Sequence, residues 1–220
     1  MPNNEYTDVT MLLDRSGSMH TIKADIEGGF AAFIDEQRQQ PGVCKVSLSQ
    51  FNNTYEPIYT ALNLADVPPL KLRPNGSTAL LDAIGRIVHE TNERLDKLPE
   101  AERPGVVIIG IMTDGLENAS KEMTYPAVKS IIEAYEKGRG WIFTYMGANQ
   151  DAIEVGSQIG IRPERSMTYA PAAAMSNLKG YSGMISRTRQ AAARGASAAQ
   201  IADASSYTSS ERDAAMGGQS

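Results

Sequence analysis

Five oxygen-bearing side chains stand out in the 220-residue sequence: Asp14, Ser16, Ser18, Thr78 and Asp114. The first three alternate within Asp14-Arg15-Ser16-Gly17-Ser18, where Gly17 gives the backbone freedom to turn. A loop with this spacing aims several side chains into one concavity. Thr78 follows Gly76-Ser77 and adds a hydroxyl, and Asp114, within Thr113-Asp114-Gly115, adds a second carboxylate. An all-oxygen donor set suits a hard cation, Mg²⁺, Mn²⁺ or Ca²⁺, rather than zinc. With two carboxylates and otherwise neutral hydroxyls, such an ion keeps much of its electrophilic pull. It then leaves one position for water or an outside carboxylate. Each piece also has a plainer reading: Ser18 as a helix N-cap, Thr78 as a helix-start residue, Asp114-Gly115 as an ordinary turn.

These residues need elements that bring them together. Residues 9–13 are a short apolar run ending at Asp14, and residues 106–113 are the strongest strand pattern, ending at Asp114. Runs of this kind suit strands buried on both faces of a parallel sheet. Over residues 19–40, Ile22, Ile26, Phe30, Phe33 and Ile34 recur at helical intervals until Pro41-Gly42 stops them. Residues 44–51 and 55–64, joined by Asn52-Asn53-Thr54, read as a hairpin. Its second strand is antiparallel, and Pro57 places it at an edge.

Residues 77–95 form a helix with Leu80, Leu81, Ile84, Ile87, Val88 and Leu95 on one side. A helix over 125–137, a strand over 141–146, a short helix over 151–159 and a strand over 166–170 follow. A closing helix spans 172–193, weakened by Gly180 and Gly183. The alternation predicts an α/β, doubly wound, Rossmann-like sheet. It has six mostly parallel strands, one antiparallel edge strand and helices on both faces. Ligands of such sheets bind at the carboxyl ends of strands, where all three loops fall. The domain spans residues 1–195, and residues 196–220, rich in Ala, Ser and Gly, are expected to be a mobile tail.

Composition narrows the function. Apolar residues make up 41%, enough for a buried core. A net charge of -5 and a pI near 5.2 argue against a nucleic-acid partner. The single cysteine, Cys44, lies in an apolar stretch and reads as a buried thiol. With only His20 and His89, there is little material for a zinc site or a histidine triad. The polar, acidic N-terminal stretch lacks a signal-peptide pattern, and the longest apolar run, residues 106–112, is too short to cross a bilayer. The expectation is a cytoplasmic protein with no membrane partner. Around the site, Arg15 reads as an attractor of acidic partners or a solvated side chain, and Glu117 and Asn118 as surface loop in preference to the rim of the site. Asn149 reads as the cap of the following helix in preference to a shaper of the rim, and His20 as a solvated helix residue in preference to a rim contact.

Asp14-Arg15-Ser16-Gly17-Ser18 resembles the D-x-S-x-S signature of von Willebrand factor A (vWA) domains. Gly76-Ser77-Thr78 resembles that family's threonine loop and Thr113-Asp114-Gly115 its aspartate loop, in the same order along residues 6–170. The resemblance implies a metal-ion-dependent adhesion site (MIDAS). Ser16, Ser18 and Thr78 would bind a cation, Mg²⁺ first, through hydroxyls, and Asp14 and Asp114 directly or through water. It further implies a protein partner that completes the shell with a Glu or Asp. The family's sheet is mostly parallel with one antiparallel edge, as read above. A single cysteine and no signal-peptide pattern point to a stand-alone intracellular relative of the bacterial and phage type.

Two other functions fit the same elements. A strand-end Asp with Mg²⁺ also describes phosphoryl-transfer hydrolases. Against that, Ser16 stands where a second aspartate would, and the three loops contain no lysine, although Lys121 follows closely. The ion could instead be structural, in a scaffold or assembly subunit. The expectation is a binding module, not an enzyme.

Overall fold

The computed structural model describes residues 2–218. Period-two alternation decides its central strands. In β1 (Asn3–Asp14), Val9, Met11 and Leu13 face one core and Leu12 the other. Helix α1 (Lys23–Arg38) leads into β2 (Val43–Phe51), and a tight turn into β3 (Tyr55–Asn63). Helix α2 (Leu80–Asp96) then crosses back to β4 (Pro104–Thr113), where Val106, Ile108 and Met112 oppose Val107, Ile109 and Ile111. Helix α3 (Tyr125–Arg139), β5 (Ile142–Ala148), α4 (Ala152–Gln158) and β6 (Ser166–Tyr169) complete the sheet.

The strand order is β3-β2-β1-β4-β5-β6, with only the β2–β3 pairing antiparallel. The six-stranded, mostly parallel sheet with one antiparallel edge strand is as the sequence predicts. The order reverses between β1 and β4, so the topological switch point lies between those two strands. Helix α1 and α5 (Ala174–Ala193) cover one face, and α2, α3 and α4 the other. All six residues expected on the inner side of α2 are buried. Cys44 is buried as expected, and burial raises its thiol pKa to about 11. Beneath α2, Asp8 of β1 is fully buried and accepts two 2.8 Å hydrogen bonds from Arg94, which keeps the charge paired.

Two expectations need correction. The helix over 19–40 is in fact a 3-10 turn, Gly17–Ile22, followed by α1, because the chain must first swing out of the Asp14 loop. The segment expected to be a mobile tail holds two more helices, α6 (Ala198–Ala204) and α7 (Ser209–Ala215). Each starts in a capping box, Ser197 with Gln200 and Thr208 with Glu211. Tyr207 and Ala215 are buried against the core. Glu211 takes a bidentate pair from Arg187 of α5, at 2.6 and 2.9 Å. Gly180 and Gly183, which weaken α5 as a sequence, are where α7 approaches. A Cβ at Gly183 would stand 2.7 Å from Glu211 Oε1. Met1 and the last two tail residues lie outside the described residues.

Candidate metal centre

The site is assembled at the switch point. Asp14 ends β1 and Thr113 ends β4, the parallel strands pairing up to Leu13 with Met112. Asp14 is fully buried. Its Oδ1 accepts from the Ser16 backbone N–H at 2.6 Å and its Oδ2 from the Thr113 hydroxyl at 2.6 Å. Ser16 Oγ and Ser18 Oγ are 3.1 Å apart, and Ser18 Oγ donates to Asp114 Oδ1 at 2.6 Å. One hydrogen-bonded chain therefore runs from Asp14 through both serines to Asp114.

Thr78 stands on the facing wall. A Cβ at Gly115 would lie 3.4 Å from Thr78 Oγ1 and 3.7 Å from Ser18 Oγ. The glycine thus leaves open a hollow that both hydroxyls line. Thr78 Oγ1 makes no hydrogen bond among the described residues. None of the three hydroxyls caps a helix: the 3-10 turn has Ser16 at its N-cap and α2 has Ala79, both without a side-chain cap bond. Ser18 is therefore not an N-cap, and Thr78 stands at the start of α2, one residue before its N-cap, without capping it.

Backbone bonds stitch the loops together. Gly17 N–H donates to the Gly76 carbonyl at 3.1 Å, and Asn75 N–H to the Arg15 carbonyl at 2.9 Å. Gly76 adopts φ +76°, and a Cβ there would collide with the Asn53 side chain. Asn52 Nδ2 holds Asn75 through its carbonyl and side-chain oxygens, at 2.9 and 2.8 Å. On the other side, Asn118 Oδ1 accepts from Thr78 N–H at 2.9 Å, and Asn118 N–H returns a bond to the Thr78 carbonyl at 3.0 Å. Glu117 accepts from Leu81 N–H at 3.0 Å, satisfying a free donor of the first turn of α2.

Electrostatics bear on what the hollow suits. Burial, with Asp114 adding to it, raises Asp14 to about 6 despite the bonds from Thr113 and Ser16. Burial also raises Asp114, against the Ser18 bond. Two carboxylates disfavoured as anions, beside hydroxyls with unused acceptor capacity, suit a cation. Among the described residues no group of three His, Cys, Asp or Glu is clustered to hold a metal.

The structure brings together all five residues singled out in the sequence. It treats their neighbours differently. Arg15, partly exposed, pairs with Glu56 of β3 at 3.1 Å and donates to Thr54 of the β2–β3 turn at 3.2 Å, so its charge is already engaged within the chain. Asp151, not Asn149, caps α4, and Asn149 at φ +56° points its amide toward the Asp114 carbonyl. His20 is exposed, as expected. Sequence reading missed Thr113, which fixes Asp14, and the clamping roles of Glu117 and Asn118. Their one visible signal is position, beside the Asp114 loop.

Comparison with protein-family models finds no match, and comparison with curated proteins finds none. Solved structures do match. A von Willebrand factor type A structure from Catenulispora acidiphila superposes with a TM-score of 0.55 at 14% identity, covering 82% of this chain and 42% of that one. The chain has a von Willebrand factor A fold. Proximal thread matrix protein 1 from the mussel byssus, with a zinc-occupied MIDAS motif, matches at TM-score 0.57 and 15% identity, over 85% of this chain and 46% of that one. Manganese-loaded TRAP protein of Plasmodium vivax matches at 0.54 and 15%, over 79% and 72%. The chain thus spans less than half of the mussel and Catenulispora chains. Within this vWA fold the hollow lies at the carboxyl ends of β1 and β4. Among the described residues no helix is long and apolar enough to cross a membrane.

Proposed function

We propose that this vWA domain is a protein-binding module that captures a Glu or Asp side chain of a partner through a divalent cation. Mg²⁺ is the expected ion, with Mn²⁺ or Ca²⁺ able to substitute. Ser16, Ser18 and Thr78 hold it through hydroxyls, and Asp14 and Asp114 through carboxylates, directly or by way of water. A cation bound there supplies a Lewis-acidic position for the partner's carboxylate. The observation that carries the reading is the Ser18–Asp114 hydrogen bond of 2.6 Å beside the open hollow at Gly115. Two similar folds that carry zinc or manganese support a divalent ion.

The chain's own residues favour recognition over turnover. Asp14 has each oxygen held by one hydrogen bond, from Ser16 N–H and the Thr113 hydroxyl, which fixes its orientation and leaves a lone pair on each oxygen for a cation. His89 lies exposed on α2, its Nε2 3.7 Å from Glu93 Oε1, and takes no part in the Asp14–Asp114 hydrogen-bonded chain. Leu116, 58% exposed next to Gly115, offers a partner an apolar contact at the rim. The buried thiol of Cys44, with no second cysteine in the sequence, supports a cytoplasmic setting.

The test is calorimetric titration of wild type and Asp14→Ala with Mg²⁺ and Mn²⁺, beside a pull-down with and without chelator. Wild type binds the ion, Asp14→Ala does not, and partner capture requires the ion. Equal cation binding by both proteins refutes the ligand assignment. Capture that persists in chelator refutes the metal-bridged mode.

A further inference from the structure

At the opposite end of the sheet, arginines gather in a protein whose net charge is -5. A cavity of about 320 Å³ lies below the first residues of β4 and β5, walled by α3, the α4–β6 connection and α6. Glu136, Arg139, Trp141, Arg162, Arg165 and Ile201 line it. Arg165 is only 4% exposed. Its Nε donates to Ser205 Oγ at 3.1 Å and its Nη1 to Glu136 Oε1 at 2.8 Å. Its Nη2 makes no hydrogen bond among the described residues.

The ion pairs around the cavity do not balance. Glu136 is shared by Arg165 and Arg162, the latter at 3.6 Å. Asp96 is shared by Arg139 at 2.7 Å and Arg103 at 3.7 Å. Glu164 reaches Arg162 only at 4.0 Å and at the solvent edge. Among the described residues, these pairs join four arginines to three carboxylates. Burial, with Arg162 adding to it, lowers the pKa of Arg165. A buried guanidinium with a free fork arm, next to a half-exposed second arginine, matches an oxyanion that accepts several charge-assisted hydrogen bonds.

We propose that this cavity binds a phosphate-type oxyanion, with Arg165 and Arg162 as its donors. Its size is at the small end for ligand sites, which suits a free phosphate or a small phosphate monoester. The α6 wall makes the site depend on the C-terminal helices. The inference is independent of the metal centre.

Trp141, the only tryptophan, lines the cavity and reports on it. Inorganic phosphate is titrated into the full chain at constant ionic strength, and Trp141 emission and the melting temperature are followed. A saturable emission change with a rise in Tm is expected. Arg162→Ala, a half-exposed position, keeps the fold and weakens the apparent Kd by at least about tenfold. Lys179→Ala, at a different cavity, leaves the response unchanged. A parallel titration with glycerol 3-phosphate separates the sources: tighter binding of the ester assigns a monoester, tighter binding of phosphate the free anion. Neither response in wild type, or equal responses in wild type and Arg162→Ala, overturns the proposal.

Discussion

Ser18 Oγ donates to Asp114 Oδ1 across 2.6 Å, although 96 positions separate the two residues. That contact closes a hydrogen-bonded chain between the loop after β1 and the loop after β4. Both hydroxyl and carboxylate then face a hollow that Gly115 leaves open.

Replacing Ser18 with Ala removes one proposed ligand and leaves Asp114 without its donor. Cation affinity is expected to fall about 10- to 100-fold. The exposed position of Ser18 limits the cost to the metal-free fold to about 1 kcal/mol. Calorimetry and thermal melting of the variant check the two halves. A full loss of folding would mean that the contact is structural.

Acidity should weaken cation binding in a defined window. Asp14 has an ordinary value of 3.8 and is raised to about 6 in the fold. The metal-free protein therefore keeps this residue's contribution to stability fully below about 4 and loses it as pH rises through about 6. Cations need the ionised form, so affinity falls about tenfold per pH unit below 6 and levels off above it. Asp114, shifted in the same direction, steepens the fall. Titrations at pH 5 and pH 7.5 check this, and equal affinities would contradict it.

The sheet, and the gathering of the five candidate residues, were legible in the sequence because β1 and β4 are apolar runs that lead directly into Asp14 and Asp114. Val9 to Leu13 before Asp14 and Val106 to Thr113 before Asp114 advertise buried parallel strands by composition alone. The supporting shell was not legible. Asn118 and Thr78 exchange two hydrogen bonds across 40 positions, and no local pattern encodes that. The helices α6 and α7 were hidden for another reason. Ala, Ser and Gly look disordered by composition, whereas two capping boxes and the anchor Tyr207 give them order.

Asn118→Ala tests the clamp. The side-chain bond that Asn118 Oδ1 accepts from Thr78 N–H is lost while the backbone bond from residue 118 N–H to the Thr78 carbonyl stays, costing about 1 kcal/mol. Because Thr78 is then less well placed, cation affinity falls as well, about tenfold. Melting curves with and without Mg²⁺ separate the effects: the metal-induced rise in Tm shrinks along with the baseline. An undiminished rise would show that Thr78 needs no clamp.

Truncation after Gly195 tests the C-terminal helices. It uncovers the α5 surface at Gly180 and Gly183, against which Glu211 packs, and removes the buried Tyr207 and the Arg187–Glu211 pair. A loss of at least about 3 kcal/mol is expected, read as a lower urea midpoint. An unchanged midpoint would restore the mobile-tail reading.

Diffraction from crystals grown with Mn²⁺, recorded for its anomalous signal, tests the central claim most directly. A single peak is predicted in the hollow by Gly115, about 2.0–2.3 Å from the hydroxyl oxygens of Ser16, Ser18 and Thr78, with Asp14 and Asp114 around it. A manganese peak elsewhere with this hollow empty, or no peak at saturating Mn²⁺, would contradict the account.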